Sequence, residues 1–244
     1  CSWEGMSRPS FNPKALVNTL DDYIYAAEEF ISEMKSKGAV GLKMPVRETS
    51  EPSRQEALRI FEKLRDGTID RLPKVNPLYD YVIDQIIRMA EEYDLVLAVH
   101  TGYWGDFRTL NPLYIIPLVI RHPKARFDIF HLGYPWVRET LMLGKGFPNV
   151  WLNLCWTHII SQKFATEALN EAVELVPANK ILAFGADYGL PVEKVYGHLI
   201  MAREDIARAL SPKIESGQIT FSQAKDIMKK WLHDNPKELY KLDL

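Results

Sequence analysis

The stretch LVLAVHTGYWGDF, residues 95–107, indicates the fold class of this chain. Five apolar residues lead into His100, and a glycine followed by aromatic and charged residues comes after it. An apolar run with so little alternation is typical of a strand that is buried on both faces, as in a parallel sheet covered by helices. The position of His100 then predicts a polar site at the carboxyl end of this strand.

Four further apolar runs repeat this pattern and alternate with segments of helical spacing. Strands are expected at 39–46, 95–100, 125–131, 149–155 and 180–187, and helices at 13–37, 52–67, 76–93, 111–122, 134–144, 161–176, 193–210 and about 220–233. Ser53 and Glu56 predict a capping box at the start of the second helix. The alternation predicts one parallel sheet in chain order, with right-handed helical crossovers between its strands. The expected fold class is therefore α/β, and a single TIM-barrel-like α/β barrel is common at this chain length.

The composition is that of an ordinary globular protein that can bury one large core. The net charge of the 244 residues is −2, so no nucleic-acid or membrane-surface partner is indicated. No apolar run approaches the roughly 20 residues of a membrane span. The two cysteines, Cys1 and Cys155, form no C-x-x-C motif, which argues against a disulfide framework or a thiolate zinc site. We expect a cytoplasmic protein with a single domain over residues 1–244.

Three of the predicted strands end on residues of metal-binding types, His100, His131 and Asp187. About one βα unit of roughly 30 residues separates the first two, and about two units separate the second from the third. Because the carboxyl ends of parallel strands face one mouth of a barrel, we expect the three side-chain tips to lie within roughly 8 Å of each other. Two imidazoles and a carboxylate suit a divalent ion, and zinc in particular. Simple hydrogen bonding of each strand-end residue is the alternative.

Four other residues are candidates for the same mouth. Lys43 lies near the end of a buried strand, where it could pair with a carboxylate, bridge metal ions as a carboxylated lysine, or bind substrate as an ammonium. His158 follows the strand at 149–155 and could contact substrate or support the site. Trp104 and Arg108 lie on the loop after the opening strand, and loops of this kind carry specificity. An arginine there could clamp a substrate carboxylate or simply be solvated.

The remaining histidines and the internal cysteine have ordinary structural interpretations. His122 and His233 stand at helix ends and are expected on the surface. His198 lies in the middle of a helix. Cys155 is expected to be buried and unreactive, because no histidine and asparagine pattern accompanies it.

Five motifs resemble those of a known family, and they occur in the family's order. They are LAVHTGY (97–103), DIFHLGYP (128–135), NVWLNLCW (149–156), KILAFGADYGLP (180–191) and DNPKELYKL (234–242). They are similar to strands five to eight and the closing helix of the amidohydrolase superfamily, in its amidohydrolase-related branch of metal-dependent TIM-barrel hydrolases. The similarity extends over about residues 38–244.

The resemblance implies a metal-dependent hydrolase that acts on a small molecule. A divalent ion, expected to be zinc, would be held by His100, with His131 and Asp187 beside it and Lys43 as a further ligand. An activated water would attack a carbonyl-like centre, and Asp187 would serve as general base. Decarboxylation and sugar-acid isomerisation occur on the same fold, and a non-catalytic binding or assembly subunit is a further alternative. A pyridoxal-phosphate or phosphate-binding barrel is less well supported, because no glycine-rich phosphate loop precedes the last strands.

The sequence departs from the family pattern in its first strand and in its last motif. The family carries an H-x-H pair on strand one, and this sequence contains no H-x-H. If residues 39–46 match strand four, the barrel lacks its first strands, and we expect an open sheet. The expectation is that these residues are the C-terminal part, strands four to eight, of a longer chain. Its expected macromolecular partner is a companion N-terminal segment or a second copy of the chain. We also expect residues 1–244 alone to be metal-poor and inactive, and a longer chain to be active. Ala186 replaces the usual serine of the eighth-strand motif.

Overall fold

The computed structural model describes the residues 17–72, 76–103, 105–189 and 192–243. The chain divides into two compact units, the first formed by residues 1–40 with 48–95 and the second by residues 41–47 with 96–244. The expectation of a single domain over residues 1–244 stays a prediction.

The described residues of the first unit form three helices. They are α1 (Leu20–Ser36), α2 (Arg54–Arg65) and α3 (Pro77–Glu92). The hydroxyl of Ser53 accepts the N–H of Glu56, so the serine of the predicted capping box begins α2 as expected. Helix α3 packs against both α1 and α2. The packing is amphipathic: Ile83 and Ile87, one helical turn apart on α3, are both buried.

In the second unit, the residues that the structure describes form a parallel sheet of five strands. They are β1 (Gly41–Pro45), β2 (Val96–His100), β3 (Arg126–Phe130), β4 (Val150–Asn153) and β5 (Ile181–Leu182). The strands pair in chain order from β1 to β5, so the predicted parallel sheet is confirmed. In the part of the chain that the structure describes, β1 and β5 do not pair, and the sheet is open there, as expected. The right-handed crossovers stay a prediction.

Seven α-helices follow in the described part of the second unit. They are α4 (Ile116–Arg121), α5 (Val137–Gly146), α6 (Thr157–Ile160), α7 (Gln162–Leu175), α8 (Glu193–Glu215), α9 (Phe221–Lys229) and α10 (Asn235–Tyr240). The predicted helix 111–122 is shorter than expected, because a 3-10 turn at Pro112–Ile115 precedes α4. A π-helical turn, Lys230–Asp234, joins α9 to α10. Within the ranges described, no helix combines the length and the apolarity that crossing a membrane requires.

The surface position expected for His122 is wrong. Its side chain is 2% exposed, because α4 ends at a buried turn that leads into β3. The amide of Asn149 donates to the His122 carbonyl at 3.0 Å and also to that of Val119, so buried side chains close this helix end. Cys155 is buried and His233 is exposed, as predicted.

The closing helix α10 packs on one face of the sheet through a buried carboxyl group. The Tyr240 hydroxyl donates to Asp128 Oδ2 at 2.6 Å, and the Asn153 amide donates to the same oxygen at 2.8 Å. Arg126 donates to the carbonyl of Leu239 at 2.6 Å. Asp128 is wholly buried, and burial raises its pKa to about 6 against the opposing effects of these two hydrogen bonds and the charge of Lys43.

Replacing Asp128 by asparagine is predicted to flatten the dependence of stability on pH between about pH 4 and 6. The folded pKa of about 6 lies above the ordinary 3.8, so in this range the folded chain holds a proton that the unfolded chain has lost. The stabilisation by the protonated carboxyl is complete below pH 3.8 and is lost as the pH rises through 6. It amounts to about 3 kcal/mol.

Urea unfolding at several pH values measures this effect. Asp226→Asn, on the exposed surface of α9, is the matched control and should keep the slope of the unsubstituted protein. The same slope in Asp128→Asn would show that another group causes the pH dependence.

Candidate active site

The ends of β2 and β3 bring His100 and His131 into direct contact. His131 Nε2 lies 2.9 Å from His100 Nδ1, and the two rings meet edge to face. His131 Nδ1 lies 2.8 Å from the carbonyl oxygen of Cys155, which can only accept a hydrogen bond. The proton of a neutral His131 is therefore on Nδ1, and its Nε2 presents a lone pair to His100.

Both imidazoles are held in the neutral form. Burial lowers the pKa of His131 to about 4, although its bond to the Cys155 carbonyl acts in the opposite direction. The pKa of His100 is also lowered, mainly by burial and then by the charge of Lys43, while Asp187 and a hydrogen bond with the Tyr103 backbone oppose the shift. Neutral imidazole is the form that binds metal ions.

Two glycine turns hold the histidines together. Gly102 and Gly133 each stand two residues after one of the histidines, and both have positive φ. A Cβ on Gly102 would lie 2.7 Å from the carbonyl carbon of Gly133 and would collide with the carbonyl oxygen of Tyr134. Only glycine allows the two turns to approach this closely, which explains the glycines of the motifs HTG (100–102) and HLG (131–133). His131 itself has a φ of 64°, a conformation that persists only where its surroundings enforce it.

Lys43 and Asp187 form an ion pair in the same unit. Lys43 Nζ lies 3.8 Å from Asp187 Oδ2 and 3.5 Å from the centroid of the Phe130 ring. Lys43 is aligned with Ala98, and Ala98 with Asp128, across three neighbouring strands, so these residues share one face of the sheet. The small side chain of Ala98 leaves room for the lysine to lean across β2 towards β3. Of the interpretations open from the sequence, the structure shows the ion pair.

The charge of Asp187 acts on both histidines, since it raises the pKa of each against the larger effect of burial. Its backbone also has a positive φ, 47°. The expected separation of roughly 8 Å between the three tips stays a prediction for Asp187, whereas the two histidines are in contact.

The histidine pair fits two adjacent ligands of one divalent ion. Two nitrogens that each lie about 2.1 Å from an ion, at right angles, are about 3 Å apart, close to the distance observed here. Among the residues that the structure describes, no group of three His, Cys, Asp or Glu is placed to hold a metal ion. The zinc site formed by His100, His131 and Asp187, and Lys43 as a metal ligand, stay predictions.

The predicted substrate contacts lie in different surroundings. His158 is fully buried with both ring nitrogens in hydrogen-bonding distance of oxygen atoms, so its contact with substrate stays a prediction. Arg108 is exposed and makes a two-point pair with Asp106 at 2.8 Å. Its role as a carboxylate clamp also stays a prediction. Trp104 lies outside the described residues.

The sequence interpretation missed two carboxyl groups of this unit. Asp128 stands in the middle of the apolar strand ARFDIF, and a carboxyl group at such a position was a signal that it has buried partners. Asp205 is fully buried on α8, and its one sequence signal, a helical spacing with Ala202 and Ala209, does not distinguish it from a solvated residue.

The family model of the amidohydrolases matches residues 11–242. The curated protein fluG of Emericella nidulans is 26% identical over 252 residues, which cover 99% of this chain and 28% of that protein. A solved protein classed as a metal-dependent hydrolase, from Lactobacillus casei, has a TM-score of 0.76 at 23% identity over 92% of this chain and 61% of its own. The glucuronate isomerase of Caulobacter crescentus has a TM-score of 0.77 at 18% identity, over 93% of this chain and 52% of its own. The chain thus spans little more than a quarter of the curated relative, and the two structures show a shared fold of the TIM-barrel type.

His131 is predicted to stay neutral down to about pH 4 in chelator-treated protein. Its proton should be on Nδ1, because the Cys155 carbonyl accepts there. Since folding lowers this pKa from 6.5, the unfolded chain binds the proton more tightly. The associated stability is complete above pH 6.5 and is lost as the pH falls through 4.

Nitrogen-15 NMR of the ring, assigned with His131→Asn, measures both the tautomer and the midpoint. A midpoint near pH 6.5, or a proton on Nε2, would contradict the geometry described here.

Proposed function

The chain belongs to the amidohydrolase family, and on that premise we propose that it carries the active-site residues of a metal-dependent hydrolase, with Asp187 as general base. The family resemblance of its five motifs is thereby confirmed. The observation that supports the hydrolase most directly is the approach of His100 Nδ1 and His131 Nε2 to 2.9 Å at the carboxyl ends of adjacent strands. Active sites of parallel barrels are built at these strand ends.

His100 and His131 would hold the divalent ion, with Asp187 as a third ligand. Both rings are kept neutral by burial, and the Cys155 carbonyl fixes the tautomer of His131, so its Nε2 offers a lone pair without losing a proton first. His100 would offer Nδ1 once its proton has moved to the other ring nitrogen, so the pair binds the ion with no net loss of a proton. Zinc is the ion whose preference for imidazole and carboxylate matches this set. When bound, the ion would lower the pKa of a water molecule and polarise the substrate carbonyl.

Asp187 would accept the proton of the attacking water and return it to the leaving group. Its ion pair with Lys43 orients the carboxylate, and the ring of Phe130 limits where the ammonium can move. The positive charge of Lys43 at this place also favours a transition state in which negative charge develops on the substrate. The proposed substrate is a small molecule with a carbonyl-like centre.

Decarboxylation and sugar-acid isomerisation are the alternatives on the same site. The products distinguish these two reactions from hydrolysis and from each other. Hydrolysis places one oxygen atom from solvent in the product, decarboxylation releases carbon dioxide, and isomerisation does neither. A binding or assembly subunit would turn over none of these substrates.

Replacing Asp187 by asparagine is predicted to lower kcat by roughly 100- to 10,000-fold, the usual contribution of a general base. The assay uses the full-length protein. It is tested against esters, amides, lactones, carboxylated aromatics and uronates, in water enriched in oxygen-18. Dialysis against a chelator should abolish turnover, and zinc should restore it.

Asp226→Asn is the matched control for the loss of one carboxylate and should keep full activity. Turnover without solvent oxygen in the product would replace hydrolysis by one of the alternatives. Unchanged kcat in Asp187→Asn would remove this residue from the chemistry.

A further inference from the structure

Both ring nitrogens of the buried His158 face oxygen atoms. Its side chain has no exposed surface, and Nε2 lies 2.8 Å from the carbonyl oxygen of Ala183. Nδ1 lies 3.0 Å from Oδ2 of Asp205, a residue of α8 whose side chain is equally buried. No solvent reaches this pair, so the protons that it carries must satisfy these two contacts.

The partners of the pair determine where the protons are. The Ala183 carbonyl can only accept, so Nε2 of His158 must carry a proton. Oδ1 of Asp205 accepts from Arg208 at 3.1 Å and from Gln162 at 3.3 Å, contacts that favour the ionised carboxylate. A carboxylate accepts only, so Nδ1 of His158 must donate as well. Both contacts are satisfied together when both ring nitrogens of His158 carry a proton.

The surroundings of the ring enclose this pair. His198, also on α8, lies with its centroid 5.8 Å from that of His158, and its own pKa is lowered to about 4 by burial and then by the charge of His158. The ring of Phe184 packs edge-on against His198. Asp205, Arg208 and His198 are thus the titratable or charged groups of α8 that bear on His158. In such an enclosed place a hydrogen-bonded ion pair is strong, and the loss of one member is costly.

His158 bonds to the segment that carries Asp187. Strand β5 ends at Leu182, and residues 183–189 continue without regular structure. The N–H of Ala183 donates to the carbonyl of Trp231, and the N–H of Trp156 donates to that of Gly185. His158 adds the bond to the Ala183 carbonyl itself.

Asp187 needs this support because its φ of 47° is one that residues other than glycine rarely adopt. Such a conformation persists only if the backbone near the strained residue is held in place. The hydrogen bonds at Ala183 and Gly185 are the described bonds that fix the chain just before Asp187.

We propose that His158 is a positioning residue: as an imidazolium paired with Asp205, it holds the Ala183 carbonyl and thereby fixes the backbone that presents Asp187. The positioning role rests on the proposed function of Asp187, whereas the protonation state of His158 does not. This role differs from the substrate contact that the sequence suggested, since the imidazolium acts from a fully buried place.

The first test is nitrogen-15 NMR of the unsubstituted full-length protein at pH 7.5. Both ring nitrogens of His158 should show the shifts of protonated nitrogen. In Asp205→Asn, the amide can donate to Nδ1, and the ring should become neutral with its proton on Nε2. A neutral ring in the unsubstituted protein would overturn the proposal.

The second test separates positioning from mere stability. His158→Leu should lower kcat by about 10- to 100-fold with KM changed less than about threefold, since misplacing a catalytic group by about 1 Å can cost on the order of 100-fold. His158→Gln keeps a donor near the Nε2 position and should recover most of the lost kcat. His122→Leu is the matched control, because it removes an equally enclosed histidine at the amino-terminal side of β3. It should destabilise the fold without changing kcat.

The outcomes distinguish the two proposals. If Asp187→Asn lowers kcat but His158→Leu does not, the positioning role is wrong and the general base stands. If Asp187→Asn leaves kcat unchanged, the general base and the positioning role both fail, and the NMR result still decides the charge of His158. Equal loss of kcat in His158→Leu and His122→Leu would reduce the role of His158 to stability and overturn the proposal.

Discussion

The contact between two glycine turns is the constraint on which the candidate site depends. A side chain on Gly102 would collide with the backbone at Gly133 and Tyr134, and a side chain on Gly133 would collide with Thr140, so both glycines fix the loops that follow β2 and β3. His100 and His131 precede those loops directly, so their nitrogens meet at 2.9 Å. The parallel register brings the carboxyl ends of β2 and β3 to the same edge of the sheet. The glycines then allow the loops after these strands to approach closely enough for the two histidines to touch.

Lys43 is a cation that interacts with groups at the strand ends and within the sheet. It pairs with Asp187 and lies over the ring of Phe130, where an ammonium is favoured by the face of an aromatic ring. Its charge acts to lower the pKa of four groups: His100, His131, Asp128 and Cys155. A divalent ion bound by the histidines would add positive charge beside this ammonium, and Asp187 is the carboxylate in contact with Lys43 that could offset it. The ion pair would therefore connect the proposed metal binding to the position of the proposed general base.

The sequence predicts the strands and the histidine pair, because both depend on local patterns. Uninterrupted apolar runs specify buried parallel strands, and His100 and His131 stand at the ends of two such runs. His122 also stands at an element's end, but the tertiary packing of a short helix buries it. His158 pairs with Asp205, 47 residues away, and no spacing rule relates the two. The periodicity of a sequence reports local structure and does not identify partners that are distant in the chain. The residues that were missed are those whose surroundings depend on such distant partners.

X-ray absorption of the zinc-loaded, full-length protein tests whether His100 and His131 hold the ion, because it counts imidazole ligands without requiring a substrate. At least two imidazole nitrogens should lie about 2.0–2.1 Å from the ion in the unsubstituted protein. Replacing His100 and His131 together by alanine should remove two imidazoles from that count or prevent binding. An imidazole count that is the same in both proteins would contradict the account, since the ion would then be held elsewhere.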